Sequence, residues 1–400
     1  MADAERRVPA QSMESPAAPG IALWSLGFRP FFLLAGAFAT LSILGWVVQV
    51  PGWSGPRIHL SDPRWHAHEM IFGYAFAVIV GFLFTAVRNW TGEATPTGKT
   101  LVSIAALWIA ARVLVLTPWH GLAAIADTAF ALAAAAGIGV PLLKSRNRRN
   151  YLFIVLVGAL GVVNLCFYLA MAGVIQVAVD RGLRFGLDLI LLVMAVMGGR
   201  VIPMFTANAV PGAQPRRVAW VERLALGGVL ALLAIDLSGT PPLATAVVAG
   251  IAALAHAARL VLWQPWLTAG RPILWILHAS YAWIVAYLTL RALAAADLVP
   301  ASPATHALTI GAIGGLTLGM MTRVARGHTG RPLRADGPEI VAYALVQVAA
   351  VVRVFVPLAL PQWYLAAVIA SGLLWSVSFA LFTVAFWPVL VRPRIDGRSG

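Results

Sequence analysis

The stretch His68–Gly92 reads HEMIFGYAFAVIVGFLFTAVRNWTG, and between Met70 and Val87 it carries no charged side chain. A helix rises about 1.5 Å per residue, so roughly 20 predominantly apolar residues cross the hydrocarbon core of a bilayer. The run is continuous rather than alternating, which fits a helix and excludes a strand of an outer-membrane barrel. Runs of this kind recur along the whole 400-residue chain, in which apolar side chains make up 60% and charged ones only 11%. Mean hydropathy is +0.84. A soluble domain carries about 25% charged residues to keep its surface wet, so this chain cannot cover a globule of its size. The same figures exclude a disordered chain, a coiled coil and a secreted disulfide scaffold. The single cysteine, Cys166, permits neither an internal disulfide nor a thiolate zinc site. The fold class is all-α: a polytopic membrane bundle.

Twelve spans are expected, at 30–50, 66–88, 101–116, 121–143, 151–174, 185–205, 218–237, 241–262, 273–296, 304–325, 338–360 and 363–391. Breakers such as Pro51-Gly52, Pro211-Gly212, Pro241-Pro242 and Arg271-Pro272 separate them. Residues 1–29 read as a disordered cytoplasmic tail without the apolar segment of a signal peptide. Residues 30–391 form one transmembrane domain, and 392–400 a second cytoplasmic tail. A net charge of +14 would suit a nucleic-acid binder, but position decides otherwise. The tails and the loops after even-numbered spans hold 17 of the 29 basic residues. The loops after odd-numbered spans hold four, Arg57, Arg64, Arg181 and Arg184. This is the positive-inside asymmetry. It makes the lipid bilayer, not nucleic acid, the partner and places both termini in the cytoplasm.

With orientation fixed, Glu69, Arg112, Asp127, Asp188, Arg291, His306 and Arg353 fall in the outer half of the membrane. Arg200, Arg259, His256 and His278 fall in the inner half. Ionisable groups at such depths cost a few kcal/mol each, and they are functional candidates unless they pair with one another. A second stretch, His306–Gly330, reads HALTIGAIGGLTLGMMTRVARGHTG. It aligns with the first without gaps at an offset of 238, matching His68/His306, Gly73/Gly311, Gly81/Gly319, Arg88/Arg326, Thr91/Thr329 and Gly92/Gly330. Span 6 joins more weakly, with Phe205-Thr206-Ala207 echoing Phe84-Thr85-Ala86. The implied plan is three repeats of four helices in which spans 2, 6 and 10 are equivalent.

Aspartate and glutamate are too few for a carboxylate-rich proton or sodium pathway, so the eight histidines carry more information. Neutral imidazole in a low-dielectric bundle is a good metal ligand. By topology His66, His68 and His306 share one depth, within about one turn of the outer surface. The glycines of spans 2 and 10 have two readings. They allow close helix packing, or they leave room for a flat macrocycle between two helices that each offer a histidine. The second is the geometry of a haem b with two imidazole ligands, and Arg64 or Arg291 would then neutralise its propionates. No Cys-x-x-Cys-His is present, which excludes covalent haem.

At these residues the chain resembles the NnrS family, bacterial membrane proteins associated with the response to nitric oxide. The resemblance rests on LGFRPFFLLAG (Leu26–Gly36), WHAHEMIFGYAFAVIVGFLFTAV (Trp65–Val87), MGGRVIPMFTAN (Met197–Asn208) and HALTIGAIGGLTLGMMTRVARGHTGRPL (His306–Leu333). Asn89-Trp90-Thr91-Gly92 and LHASYAW (Leu277–Trp283) add to it. It implies a haem- and copper-containing protein of the bacterial inner membrane that helps cells tolerate nitric oxide in denitrification or nitrosative stress. Carried onto this sequence, the family-pattern histidines are His66, His68, His278, His306 and His328; His59, His120 and His256 lie outside the pattern. The expectation is that His68 and His306 ligate one haem, with His66 as alternative ligand or copper contact. An inner cluster of His278, His328, Arg200 and either Met204 or Met320 would hold a second haem or copper.

The architecture is also similar to the large subunit of haem–copper oxidases, with twelve helices in three arcs and haem ligands from the second and tenth. In that family the sixth and seventh helices supply histidines to a copper site. Spans 185–205 and 218–237 contain none, which speaks against a binuclear centre of that type. Three readings stay open. The protein binds nitric oxide or removes it from iron; it is a secondary transporter; or it only passes electrons to a redox partner. A transporter of this size usually shows two six-helix halves, and no half-length repeat is visible. Whether the protein is an enzyme is left open.

Overall fold

The computed structural model describes residues 21–50 and 62–397, all of them helical or in connecting loops, with no strand among them. Helix α1 spans Phe28–Gln49, α2 Pro63–Thr91, α3 Gly98–Leu114, α4 His120–Lys144, α5 Leu152–Met171 and α6 Val179–Ala209. Next come α7 Ala219–Ser238, α8 Pro242–Leu262, α9 Pro272–Ala295, α10 Ala301–His328, α11 Gly337–Ala359 and α12 Tyr364–Val391. Local chemistry sets several ends. Proline opens α2, α8 and α9, where its missing N–H has no helical acceptor to lose. The Glu339 carboxylate accepts from the Asp336 N–H at 2.7 Å at the start of α11. Gly92 and Gly239 close α2 and α7 in the left-handed conformation.

Among the described residues ten helices are long and apolar enough to cross a membrane. The expectation of twelve spans is met for those ten. Helix α3 has only 17 residues, and α7 carries Glu222, Arg223 and Asp236. Both nevertheless sit inside the bundle, α3 against α4 and α7 between α6 and α8.

Three helices form the centre. In their most apolar stretches 83% of α2, 78% of α10 and 67% of α6 is buried, against 33–61% for the other crossing helices. These three touch one another, the other helices stand around them packed largely on their chain neighbours, and α1 packs on α12. Glycines let the central helices approach their neighbours. A Cβ on Gly311 would lie 2.2 Å from Trp283, one on Gly314 2.3 Å from Trp375, and one on Gly315 2.0 Å from Ser280. Side chains fill the space these glycines leave, so the packing reading holds and the macrocycle slot at the glycines does not.

Helices α2 and α10 share a second trait. Each contains a π-helical stretch, Glu69–Ala75 in one and Ala307–Gly314 in the other. Both begin one residue after the matched histidines His68 and His306, in the same register as the 238-residue offset. Helix α6 runs as unbroken α-helix.

The two ends of the described chain meet. The Ala22 N–H donates to the Val391 carbonyl at 2.7 Å, and the Arg29 guanidinium donates to the carbonyls of Leu390 and Arg392 at 2.9 and 2.7 Å. Leu26, Phe28 and Arg29 are buried. Residues 22–29, assigned above to the first tail, are therefore held on the bundle. The expected second tail is tied to it by the Arg392 carbonyl and by Arg394, which donates to the His328 carbonyl at 3.0 Å. The rest of the first tail, the stretch with Arg57 and His59, and residues 398–400 lie outside the described residues. The face where the ends meet is called the terminal face below.

Overpacking a glycine contact costs about 1–3 kcal/mol. Gly311→Ala should lower the thermal midpoint of the detergent-purified protein. Gly250→Ala, on α8 with open space at its Cβ, should leave it unchanged or raise it.

Candidate functional site

At the face opposite the termini the bundle divides into three compartments, each beginning at a central helix. Positions 69, 188 and 307, spaced by 119, mark the same level on α2, α6 and α10 and hold Glu, Asp and Ala.

The first compartment, between α2 and α5, is filled by a buried ion network. Arg112 of α3 lies 3.1 Å from Glu69 Oε2 and donates to Asp127 of α4. The Tyr168 hydroxyl donates to Asp127 Oδ2 at 2.9 Å. His68 Nδ1 is 2.8 Å from Glu69 Oε1, and its Nε2 is 2.8 Å from Asn164 Oδ1. Both ring nitrogens are thus engaged by the protein, and His68 presents no lone pair to a metal.

The second compartment, between α6 and α9, repeats the theme. Arg291 of α9 donates to Asp188 Oδ1 at 2.9 Å and to both carboxylate oxygens of Asp236 at 2.7 Å. Tyr287 stands 119 residues after Tyr168; its hydroxyl accepts from Arg291 at 2.7 Å. The network borders a polar cavity of about 470 Å³ that Arg181 and Arg184 also line.

The third compartment, bordered by α10, α11, α12, α1, α2 and the central α6, is an open cavity of about 350 Å³. His66 and His306 both line it. The His66 ring stacks on Trp46, with centroids 4.7 Å apart. His306 Nδ1–H donates to the Ser302 carbonyl at 2.8 Å, which fixes the tautomer and leaves the Nε2 lone pair for a ligand. Arg353 of α11 enters the same cavity. Its Nη2 has only long contacts, 3.4 Å to Ser302 Oγ and 3.3 Å to the Tyr364 hydroxyl, and its Nη1 is buried without a hydrogen-bond partner.

The expected histidine pair is therefore not brought together. His306 shares its cavity with His66, while His68 faces α4 and α5. A helix turns about 100° per residue, so positions 66 and 68 point to nearly opposite sides. Residues that match in a rotational repeat occupy equivalent faces, and equivalent faces look around the circle rather than at one another. The expected propionate partners fall elsewhere too. Arg64 is an exposed partner of Asp180 at 3.5 Å, and Arg291 is already held by two carboxylates. Arg353 is the arginine that this cavity holds, and the 119-residue spacing marks only its missing acid, since Ala307 stands where Glu69 and Asp188 supply acids.

Toward the terminal face His328, Arg200, Met204 and Met320 line a second cavity of about 540 Å³, as grouped from sequence. Arg200 Nη1 donates there to Asn150 Oδ1 at 2.7 Å. His278 is set apart from it, bonded through Nε2 to Thr206 Oγ1 at 2.9 Å. His256 is fully buried between the Tyr281 hydroxyl and the Ala225 carbonyl, at 2.6 and 3.2 Å. Between the two cavities lies a small apolar gap of about 60 Å³.

Among the described residues no three His, Cys, Asp or Glu side chains gather into a metal cage. Two imidazoles in one cavity suit a metal whose remaining positions come from a macrocycle, and 350 Å³ lies within the range of about 300–1,000 Å³ typical of cofactor pockets.

Removing one partner of a buried pair costs about 3–5 kcal/mol, whereas an exposed pair is worth about 1 kcal/mol or less. Arg112→Met should therefore lower the thermal midpoint strongly and Arg64→Ala barely. Diethyl pyrocarbonate, followed by peptide mapping, should modify His66 and His306 and spare His68 and His256. Equal modification of all four would contradict the assigned faces.

Residues 22–394 match the family model described as NnrS protein. No curated protein matches the chain.

Proposed function

This chain belongs to the NnrS family, and from that premise we propose that it is a haem protein of the bacterial inner membrane acting in the nitric oxide response. Membership supports a membrane protein related to that response. The mechanism is our reading of the site. Helices α3 and α7 complete twelve spans in three four-helix arcs, with both termini in the cytoplasm. The positive-inside charge distribution supports that orientation, and the common face of the two ends supports the even count.

The observation that carries the reading is the pairing of His66 and His306 in one cavity, with His306 Nε2 left free by its Nδ1 bond to Ser302. His66 and His306 would hold a haem b, and Trp46 would fix the His66 plane by stacking. A haem held there would supply a redox-active iron, and nitric oxide would bind it only in place of one of the two imidazoles. The walls are mainly apolar, and the cavity adjoins the polar second compartment through the shared residues Leu187 and Thr305. At the terminal face His328 with Met204 or Met320 suits Cu(I), which favours imidazole and thioether ligands.

A second reading is electron transfer alone, to a redox partner. It is favoured by the presence of two cavities at opposite ends of the same three central helices. Against the transporter reading stands the central trio α2, α6 and α10, which suits three arcs better than two halves.

The test is the optical spectrum of purified protein, oxidised, dithionite-reduced, and then exposed to nitric oxide. A Soret band that shifts with nitric oxide supports chemistry at the iron; a band indifferent to it favours electron transfer. His66→Ala and His306→Ala should each abolish that haem signal, and His68→Gln should keep it. An unchanged haem-to-protein ratio in the first two variants would sink the assignment.

A further inference from the structure

We propose that the third compartment binds a molecule bearing a carboxylate and that Arg353 is its counter-ion. The inference extends the reading of this cavity given above, and three observations carry it. Arg353 is 94% buried by its 6% relative exposure, yet it has no acid within ion-pair distance among the described residues. The adjoining stretch 51–61 contains no Asp or Glu that could supply one. The other two compartments show what this chain does elsewhere with a buried arginine at this level: Arg112 has Glu69 and Asp127, and Arg291 has Asp188 and Asp236.

A guanidinium does not discharge itself by losing its proton in a protein, and a buried charge without a partner costs several kcal/mol. Ser302 and Tyr364 only touch one nitrogen, at long range, and leave Nη1 bare. The missing negative charge is therefore brought by the occupant. Around Arg353 the cavity walls are mainly apolar, with Ile43, Ile190 and Ile310 among them. That combination fits a hydrophobic body ending in a carboxylate. Two sources share this chemistry: a porphyrin with propionates, and a fatty acid drawn from the bilayer.

The experiment uses wild-type and Arg353→Gln protein in nanodiscs, with empty nanodiscs subtracted. Each is titrated with metal-free protoporphyrin and with its dimethyl ester, followed by porphyrin fluorescence anisotropy. In parallel, oleate and methyl oleate are compared by equilibrium binding of radiolabelled compounds. The wild type should bind the free porphyrin acid at least tenfold more tightly than the ester. Arg353→Gln should weaken the acid to the level of the ester and leave the ester unchanged. Discrimination seen only with oleate, and lost in the variant, supports the same counter-ion with lipid as the source. Lack of acid-over-ester preference in both ligand pairs, or equal weakening of acid and ester in the variant, overturns the proposal.

Folding gives an independent readout. Arg353→Gln removes a charge that has no partner, so its thermal midpoint without ligand should stay level or rise; a marked fall would mean that Arg353 is a structural residue and would overturn the proposal. Metal-free porphyrin needs no axial ligand. Failure of iron ligation by His66 and His306 would thus leave the acid–ester preference standing, and loss of that preference would leave the ligation to its own spectrum.

Discussion

A bilayer core offers no water to a charge, so each charge placed there must find its partner within the protein. This constraint organises the fold more than any single apolar contact. Arg112 joins α3 to α2 and α4, and Arg291 joins α9 to α6 and α7. Each network ties a central helix to two of its neighbours, at one end of the bundle. Apolar packing supplies most of the buried area but little direction, since lipid tails are as apolar as leucine. Glycines bring the helices close; the ion networks fix which helix stands beside which.

Much of the helix pattern was legible in the sequence. The expected 363–391 and 241–262 differ by a residue from Tyr364–Val391 and Pro242–Leu262. Where hydropathy and helix part company, the reading fell short: 185–205 became Val179–Ala209, because the first turns carry Asp180, Arg181 and Arg184 and remain helical at the membrane edge. Depth was legible as well, and it put His66, His68 and His306 at one level. Azimuth was not. Apolar residues surround a buried helix on all sides, so periodicity gives no phase, and only the packed neighbours decide that His66 faces the cavity and His68 does not. Pairing was hidden for a similar reason: Asp236 and Arg291 are 55 residues apart and meet only through the fold.

The matched π-helical stretches of α2 and α10 bear on the repeat. A π turn adds a residue to a helical turn and is frequent at functional sites. Here both begin directly after a histidine, at positions 69 and 307. Two helices that share sequence identities and also share an uncommon backbone feature in the same register are easier to relate by duplication than by coincidence. Helix α6 keeps the central place and the acid at position 188 without the π turn. The three compartments differ accordingly: one is filled by its own charges, one is half open, and one is a mainly apolar cavity that Arg353 enters.

Helices α3 and α7, the two that fall short of a self-sufficient span, have a consequence for how the chain enters the membrane. Each carries a charge near the same end of the bundle with a partner still to be made: Arg112 already has Glu69 on α2 but lacks Asp127 on α4, and Asp236 lacks Arg291 on α9. A segment released into lipid alone would expose that charge to hydrocarbon. Helix α3 can enter with its immediate successor as a hairpin. Helix α7 must be held at the insertion machinery, or lie at the interface, until two more helices have been made. Placing α7 in the bundle therefore depends on an ion pair completed two helices later as well as on hydrophobicity.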